Sequence, residues 1–389
     1  MDNQKSNFPR ALLVVPRIHP NLEEFINQIS IRTRLSILVE FIGQTDGRVP
    51  KTIIPFTFST FKVPYFSYPF VSPFQLCKQL LQERLDICIY RDLCWNNTYY
   101  ATFLWLLVFL FCLFNDSKFV YYHQVPRGPG EKLINRIKLD LIAFVSFFLK
   151  KNRFISVTPC IDYPQPTLKR LSRSHFYFPF ITAPVPYTSL LCKLNFNSLP
   201  TINIVYIGKL WSHNKRLDVA LDIFISLRKS FDCKLFIIGE MPTETSPHSF
   251  GHKVLDDFCL NHPEVSLHVK LIGSASRDLV HSIFQDSHIF LFASRHEQAG
   301  FSHIEAMSYG LIPIVMRDQL PYNTHVNYVN HKVNGFIFDE FCINEAVDWI
   351  TSLLSSSSRR TSAIKNSALI SRYNRVLFAS LFTRFMSSI

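Results

Sequence analysis

The chain has 389 residues, enough to bury a large core and ordinarily divided between two domains. Its 48% hydrophobic and 18% charged content excludes a disordered chain, and its nine scattered cysteines, without any Cys-x-x-Cys, argue for reduced thiols rather than a disulfide framework or zinc site. The net charge of +12 is unevenly placed: Lys118 to Arg173 holds eleven basic residues against three acidic ones, which favours anionic lipid or phosphorylated ligands. Nucleic acid is set aside, because no helix-turn-helix, zinc finger or RNP-type aromatic motif accompanies that charge.

In chain order, the polar start Met1–Asn7 and the strand-length apolar run Ala11–Val15 give no secretory signal, so a cytoplasmic protein is expected. Strands are predicted at Ala11–Val15, Ser36–Phe41, Leu85–Tyr90, Lys118–Tyr122 and Phe154–Val157. Helical patterns fall between them near Leu22–Ile29, Phe74–Glu83, Ala101–Phe114 and Leu133–Leu149. Alternating strands and helices indicate an α/β, doubly wound parallel sheet.

Two of these stretches invite a membrane reading. Tyr99–Phe114 is apolar on all sides but shorter than the roughly 20 residues that span a bilayer, and it sits where a crossover helix belongs. Leu139–Leu149 is bracketed by Lys132, Arg136 and Lys138 and by Lys150, Lys151 and Arg153, a pattern that suits both a core helix with solvated ends and a helix lying on an anionic surface.

The proline-rich stretch 183–200 is read as a linker between a first domain over 1–182 and a second over 201–362. The second domain restarts with the strand Thr201–Gly208 and a helix whose apolar residues Leu217, Ala220, Leu221, Phe224 and Leu227 form one stripe. Strands follow at Lys234–Ile238, His268–Ile272, His288–Phe292 and Ile312–Val315, and residues 363–389 close the chain as one or two helices.

The chemistry concentrates in this second half. Glu297 and Glu305 stand eight positions apart across a predicted strand-to-helix junction, with Gly300 at the turn and a helix over Ser302–Tyr309. The first N–H groups of that helix and its positive dipole end suit a diphosphate, while the two carboxylates accept hydrogen bonds from sugar hydroxyls. The loop Gly208–Arg216 follows the first strand of this domain and presents Lys209 and Lys215, which can neutralise a departing nucleotide. No Asp-x-Asp, P-loop, Gly-x-Ser-x-Gly or Gly-x-Gly-x-x-Gly is present, so neither a metal nor another cofactor is expected.

Glu297 to Val315, with Glu-x7-Glu, Glu305-Ala306-Met307 and Gly310 before Pro313, resembles the glycosyltransferase family 4 group. The resemblance implies a GT-B fold, two Rossmann-like domains with parallel sheets facing a central cleft, the last helices crossing back to the first domain. It implies a retaining glycosyltransferase acting on a nucleotide sugar and a saccharide or lipid-linked saccharide acceptor, in surface polysaccharide or lipopolysaccharide biosynthesis. Glu297 and His123 would serve catalysis at the donor sugar; Lys209, Lys215, Gly300, Phe301, Ser302 and Glu305 would bind the donor. Here Lys209 replaces the family's common arginine, Arg216 stands where glycine is typical, and the loop Pro16–Asn21 lacks a Gly-Gly pair. The basic and apolar segments of the first half add an expected peripheral contact with the inner face of the cytoplasmic membrane. Two other readings keep the same fold: a sugar-nucleotide epimerase and a non-catalytic partner of another glycosyltransferase.

Overall fold

The computed structural model describes residues 8–15, 23–39, 65–67, 84–91, 99–122, 154–158, 175–182, 184–186, 190, 193–194, 201–210, 212–240, 250–295, 300–317 and 324–387. The predicted helices at Phe74–Glu83 and Leu133–Leu149 fall outside them. The described chain divides into two compact units, 1–181 with 375–389, and 182–374.

The first unit holds β1 (Arg10–Val15), α1 (Glu23–Ser30), β2 (Arg34–Val39), β3 (Tyr65–Ser67), β4 (Ile87–Arg91), α2 (Tyr99–Phe114), β5 (Lys118–Tyr122), β6 (Phe154–Thr158) and β7 (His175–Tyr177). The strands form one parallel sheet in the order β3-β2-β1-β4-β5-β6-β7. The short β3 and β7 carry too little pattern to be predicted, and both lie at the sheet's edges. On α1, Phe25, Ile26 and Ile29 recur at helical spacing and are buried. The crossover helix α2 buries Val108, Phe109, Phe111 and Cys112 but leaves Leu106, Leu110 and Phe114 as a ridge exposed by 39%, 38% and 79%. Its uniform apolarity therefore conceals one outward face.

The second unit contributes β8 (Ile202–Ile207), α3 (Leu217–Arg228), β9 (Cys233–Ile238), α4 (Phe250–Asn261), α5 (Pro263–Ser266), β10 (Val269–Gly273), α6 (Arg277–Gln285), β11 (Ile289–Phe292), α7 (Phe301–Ser308), β12 (Ile312–Arg317), β13 (Phe336–Asp339) and α8 (Ile343–Leu354). Its sheet is parallel, in the order β10-β9-β8-β11-β12-β13. Successive strand residues alternate between two buried faces. Ile204, Leu235, Leu291 and Ile314 pack on one side, and Val205, Ile238, Phe290 and Val315 on the other. This unit begins at Thr182 and so takes in the stretch 183–200 read above as a linker: Leu190 is buried, and Lys193 Nζ donates to Phe284 O at 2.5 Å.

The serine-rich break separates α8 from α9 (Ser357–Ser387), which is a single helix. Up to Asn374 it packs in the second unit, where Ser367 Oγ donates to Leu311 O at 2.6 Å. From Arg375 it belongs to the first, where Phe378, Phe382 and Phe385 join Phe25 and Phe178 in the core. Among the described residues, no helix is long and apolar enough to cross a membrane.

Candidate functional site

In the second sheet the strand order runs outward from β8 through β9 to β10 on one side, and from β11 through β12 to β13 on the other. Such a switch point opens a crevice at the carboxyl ends of the strands, because the loops after its two central strands diverge. The two segments singled out from the sequence follow those strands: Gly208–Arg216 after β8, and the run to Glu305 after β11.

The β8 loop is fixed mainly by backbone. Gly208 N donates to Ile238 O at 3.0 Å and Leu210 N to Glu240 O at 3.2 Å. Gly239 is required beside it, since a Cβ there would lie 1.6 Å from Gly208 O. The loop closes in a short 3-10 turn, His213–Lys215. The buried Tyr206 of β8 donates its hydroxyl to Lys215 O at 2.9 Å, and burial followed by the Asp218 charge pushes that hydroxyl's pKa up, which keeps it a donor. Lys215 Nζ lies 5.9 Å from the centroid of the Phe292 ring at the end of β11, a cation–π approach that puts its charge at the switch point. Lys209, half-buried, sits on the same loop.

Arg216, at the position where the resembling family has glycine, keeps a glycine-like backbone with φ 46° and ψ 55°. A non-glycine residue there costs roughly 1–2 kcal/mol. Its guanidinium compensates by pairing with Asp218 at 2.7–3.0 Å and with Glu340, just past β13.

After β11, Arg295 N donates to Asn214 O at 2.6 Å, and Arg295 Nε reaches Glu340 Oε2 at 2.9 Å. Glu297 lies outside the described residues, as does His123 in the first unit. Gly300 caps α7 in the left-handed conformation, φ 56° and ψ 38°, its carbonyl accepting from His303 N at 3.2 Å. Phe301 and Ser302, both half-buried, form the helix's first turn, so the positive end of its dipole opens at the switch point.

Four residues on, Glu305 has a side chain only 15% exposed, and its Oε1 accepts from His281 Nε2 at 2.8 Å and Arg277 Nη2 at 3.0 Å, both from α6. Burial raises the carboxyl's pKa, but the His281 hydrogen bond and the Arg277 charge outweigh it and hold the group below the usual carboxylate range. Among the described residues both bonds fall on Oε1, which leaves Oε2 to accept from a ligand.

The described site therefore gathers Lys209, Lys215, Gly300, Phe301, Ser302 and Glu305 on loops and a helix from β8 and β11. Tyr206, Arg277, His281, Arg295 and Glu340 are supports that sequence reasoning missed, because each acts through tertiary pairing. Only Arg216 carried a local signal, as an arginine at a glycine position. Among the described residues, no group of three or more His, Cys, Asp or Glu is arranged to hold a metal ion.

Comparison with known proteins shows what this part of the chain is similar to. Residues 197–369 match the family model described as Glycosyl transferases group 1. The chain is 30% identical over 112 residues to glycogen synthase of Protochlamydia amoebophila, covering 28% of this chain and 21% of that protein. It is 28% identical over 184 residues to the GDP-mannose:cellobiosyl-diphosphopolyprenol alpha-mannosyltransferase of Xanthomonas oryzae pv. oryzae, covering 45% and 44%. The chain thus spans less than half the length of these curated relatives. Among solved structures, Anabaena HepE in complex with UDP and glucose aligns with TM-score 0.66 at 12% identity, covering 98% of this chain and all of that one. A glycosyltransferase from Rickettsia africae aligns with TM-score 0.68 at 14% identity, covering 97% of each. At such identities the likeness is one of fold, and it matches the two parallel sheets described above. The chain has the two-domain GT-B fold of these structures, and its residues 197–369 match the glycosyl transferases group 1 model.

Proposed function

We propose that the protein is a retaining glycosyltransferase that moves a sugar from a nucleotide-sugar donor to a saccharide acceptor in surface polysaccharide or lipopolysaccharide biosynthesis. The observation that carries this reading is the placement of two lysines, a helix N-terminus and an oriented carboxylate at one switch point. Lys209 and Lys215 would neutralise the diphosphate as its charge grows on departure, and the amides of Gly300 to Ser302 would hold donor oxygens. Glu305 would accept the ribose hydroxyls through Oε2. Glu297 and His123 would contact the donor sugar. The bond from the sugar's anomeric carbon to the diphosphate breaks as the acceptor hydroxyl oxygen bonds on the same face and its proton passes to the departing diphosphate oxygen; no side chain is assigned as nucleophile. No metal is required in this scheme, since the lysines carry the role that a cation would otherwise fill.

For the acceptor, the specific observation is the outward ridge of α2, Leu106, Leu110 and Phe114, in a chain with net charge +12. A lipid-linked saccharide on an anionic membrane, the class named for the Xanthomonas relative, would bring such a surface into contact with lipid. Flotation with anionic liposomes tests this, and failure to co-float would favour a soluble acceptor.

The experiment for the reaction itself is product analysis with sugar nucleotides in EDTA, with and without membrane extract as acceptor. Transfer that vanishes in Glu297→Ala, with an unchanged melting temperature, supports the reading. Conversion of donor alone to an isomer would favour the epimerase. Absence of any turnover would favour a non-catalytic partner.

A further inference from the structure

Four charges meet at the carboxyl ends of β8, β11 and β13: Arg216, Asp218, Arg295 and Glu340. Glu340 is their hub. Its Oε1 is shared by Arg216 and Arg295, and its Oε2 accepts from Arg295 Nε at 2.9 Å. With side chains 14% and 18% exposed, Arg216 and Glu340 are poorly screened by solvent. Arg295 ties the same loop a second time, through its amide to Asn214 O.

The clasp has two effects on the β8 loop. It holds Arg216 in a left-handed conformation that arginine rarely adopts, and so sets the direction in which the chain leaves Lys215. It also pairs both arginines with carboxylates, which ties the β8 loop to the end of β13.

We propose that Glu340 is a positioning residue for the donor diphosphate, acting through Arg216 and Arg295 to hold the two lysines at the switch point. The proposal rests on the donor-binding reading above.

The test uses the full chain and whichever of UDP-, GDP-, ADP- and dTDP-glucose the wild type turns over fastest, with amide exchange followed over residues 209–217. Glu340→Gln should lower kcat about tenfold to a hundredfold, more than it changes KM, and should speed exchange across the loop. Glu340→Asp, which keeps the charge, should recover most of both. Arg216→Gly supplies a variant that folds without strain yet cuts the clasp, and should lose turnover at an unchanged melting temperature. Wild-type turnover and exchange in both Glu340→Gln and Arg216→Gly would overturn the proposal. A loss that tracks melting temperature rather than loop exchange would also overturn it. If the wild type turns over none of the four donors, the functional reading fails, and the exchange measurement alone decides whether the clasp orders the loop.

Discussion

The two sheets are built alike, parallel throughout; among the described residues the second shows a charged cluster at its strand ends and the first an aromatic core. In the second, Gly208, Gly239, Lys215, Arg216, Arg295 and Glu340 converge where β8 and β11 part. In the first, the most elaborate packing described is aromatic. Phe25 meets Tyr122 edge-on at 5.2 Å, and Phe178 lies 5.2 Å from Phe378 and 5.7 Å from Phe385 at the end of α9. A parallel sheet dictates where a ligand can bind, and the side chains on its loops dictate which ligand. Among the described residues, one fold layout thus carries a cluster of paired charges in the second unit and an aromatic core in the first.

Substitutions sharpen this contrast. Phe378 is fully buried among Phe25, Phe178 and Phe382, so Phe378→Ala should destabilise the protein by about 3–5 kcal/mol in denaturant melts. A change under about 1 kcal/mol would mean that the end of α9 does not close the first core. Lys209→Ala with Lys215→Ala should do the opposite, lowering turnover of the preferred donor at least a hundredfold, about 3 kcal/mol, with little change in melting temperature. Equal losses of turnover and stability would mean that the two lysines serve the fold rather than the donor.

Smaller effects probe the backbone and the buried charge. Gly300→Ala places a Cβ at φ 56° and should cost roughly 1–2 kcal/mol, read as a lower melting temperature. Lys193 is nearly fully buried; burial pushes its pKa down to about 7, with the Asp286 charge only partly opposing. Between about 7 and the ordinary lysine value near 10.4, the unfolded chain holds this proton and the folded chain does not. Its contribution to stability therefore rises with pH across that window, by at most about 1.4 kcal/mol per unit, and the full penalty is present below it. Lys193→Met should be stabilising at pH 6, with an advantage that shrinks toward pH 9. Phe284 O keeps its backbone donor Ser287 N at 3.3 Å when the lysine is removed. An advantage independent of pH would show that Lys193 stays charged in the fold.

Legibility in the sequence followed the range of the interaction. The apolar runs at β5, β8, β9, β11 and β12, interrupted in β8 by Asn203 and in β9 by the exposed Lys234, reflect largely buried strands and were readable from pattern alone. α6, whose first turn bears Arg277, and β13, which leads to Glu340, have short or polar patterns and were not. The placements of Gly300 and Lys215 follow from strand-to-loop order and could be anticipated. Glu305's hold by Arg277 and His281, 28 and 24 positions away, could not, since nothing in local spacing links α6 to α7. The phenylalanines show the same limit: their number is plain in the sequence, whereas the gathering of Phe378, Phe382 and Phe385 against Phe25 and Phe178 depends on tertiary packing.

The most direct test of the proposed diphosphate site is a thermal-shift measurement in EDTA with UDP, GDP, ADP and dTDP, comparing wild type with the Lys209→Ala, Lys215→Ala double variant. One nucleotide at 100 times its dissociation constant should stabilise the wild type by about 2.7 kcal/mol and leave the double variant nearly unmoved. No shift with any of the four, or an equal shift in both proteins, would contradict diphosphate binding at the β8–β11 switch point.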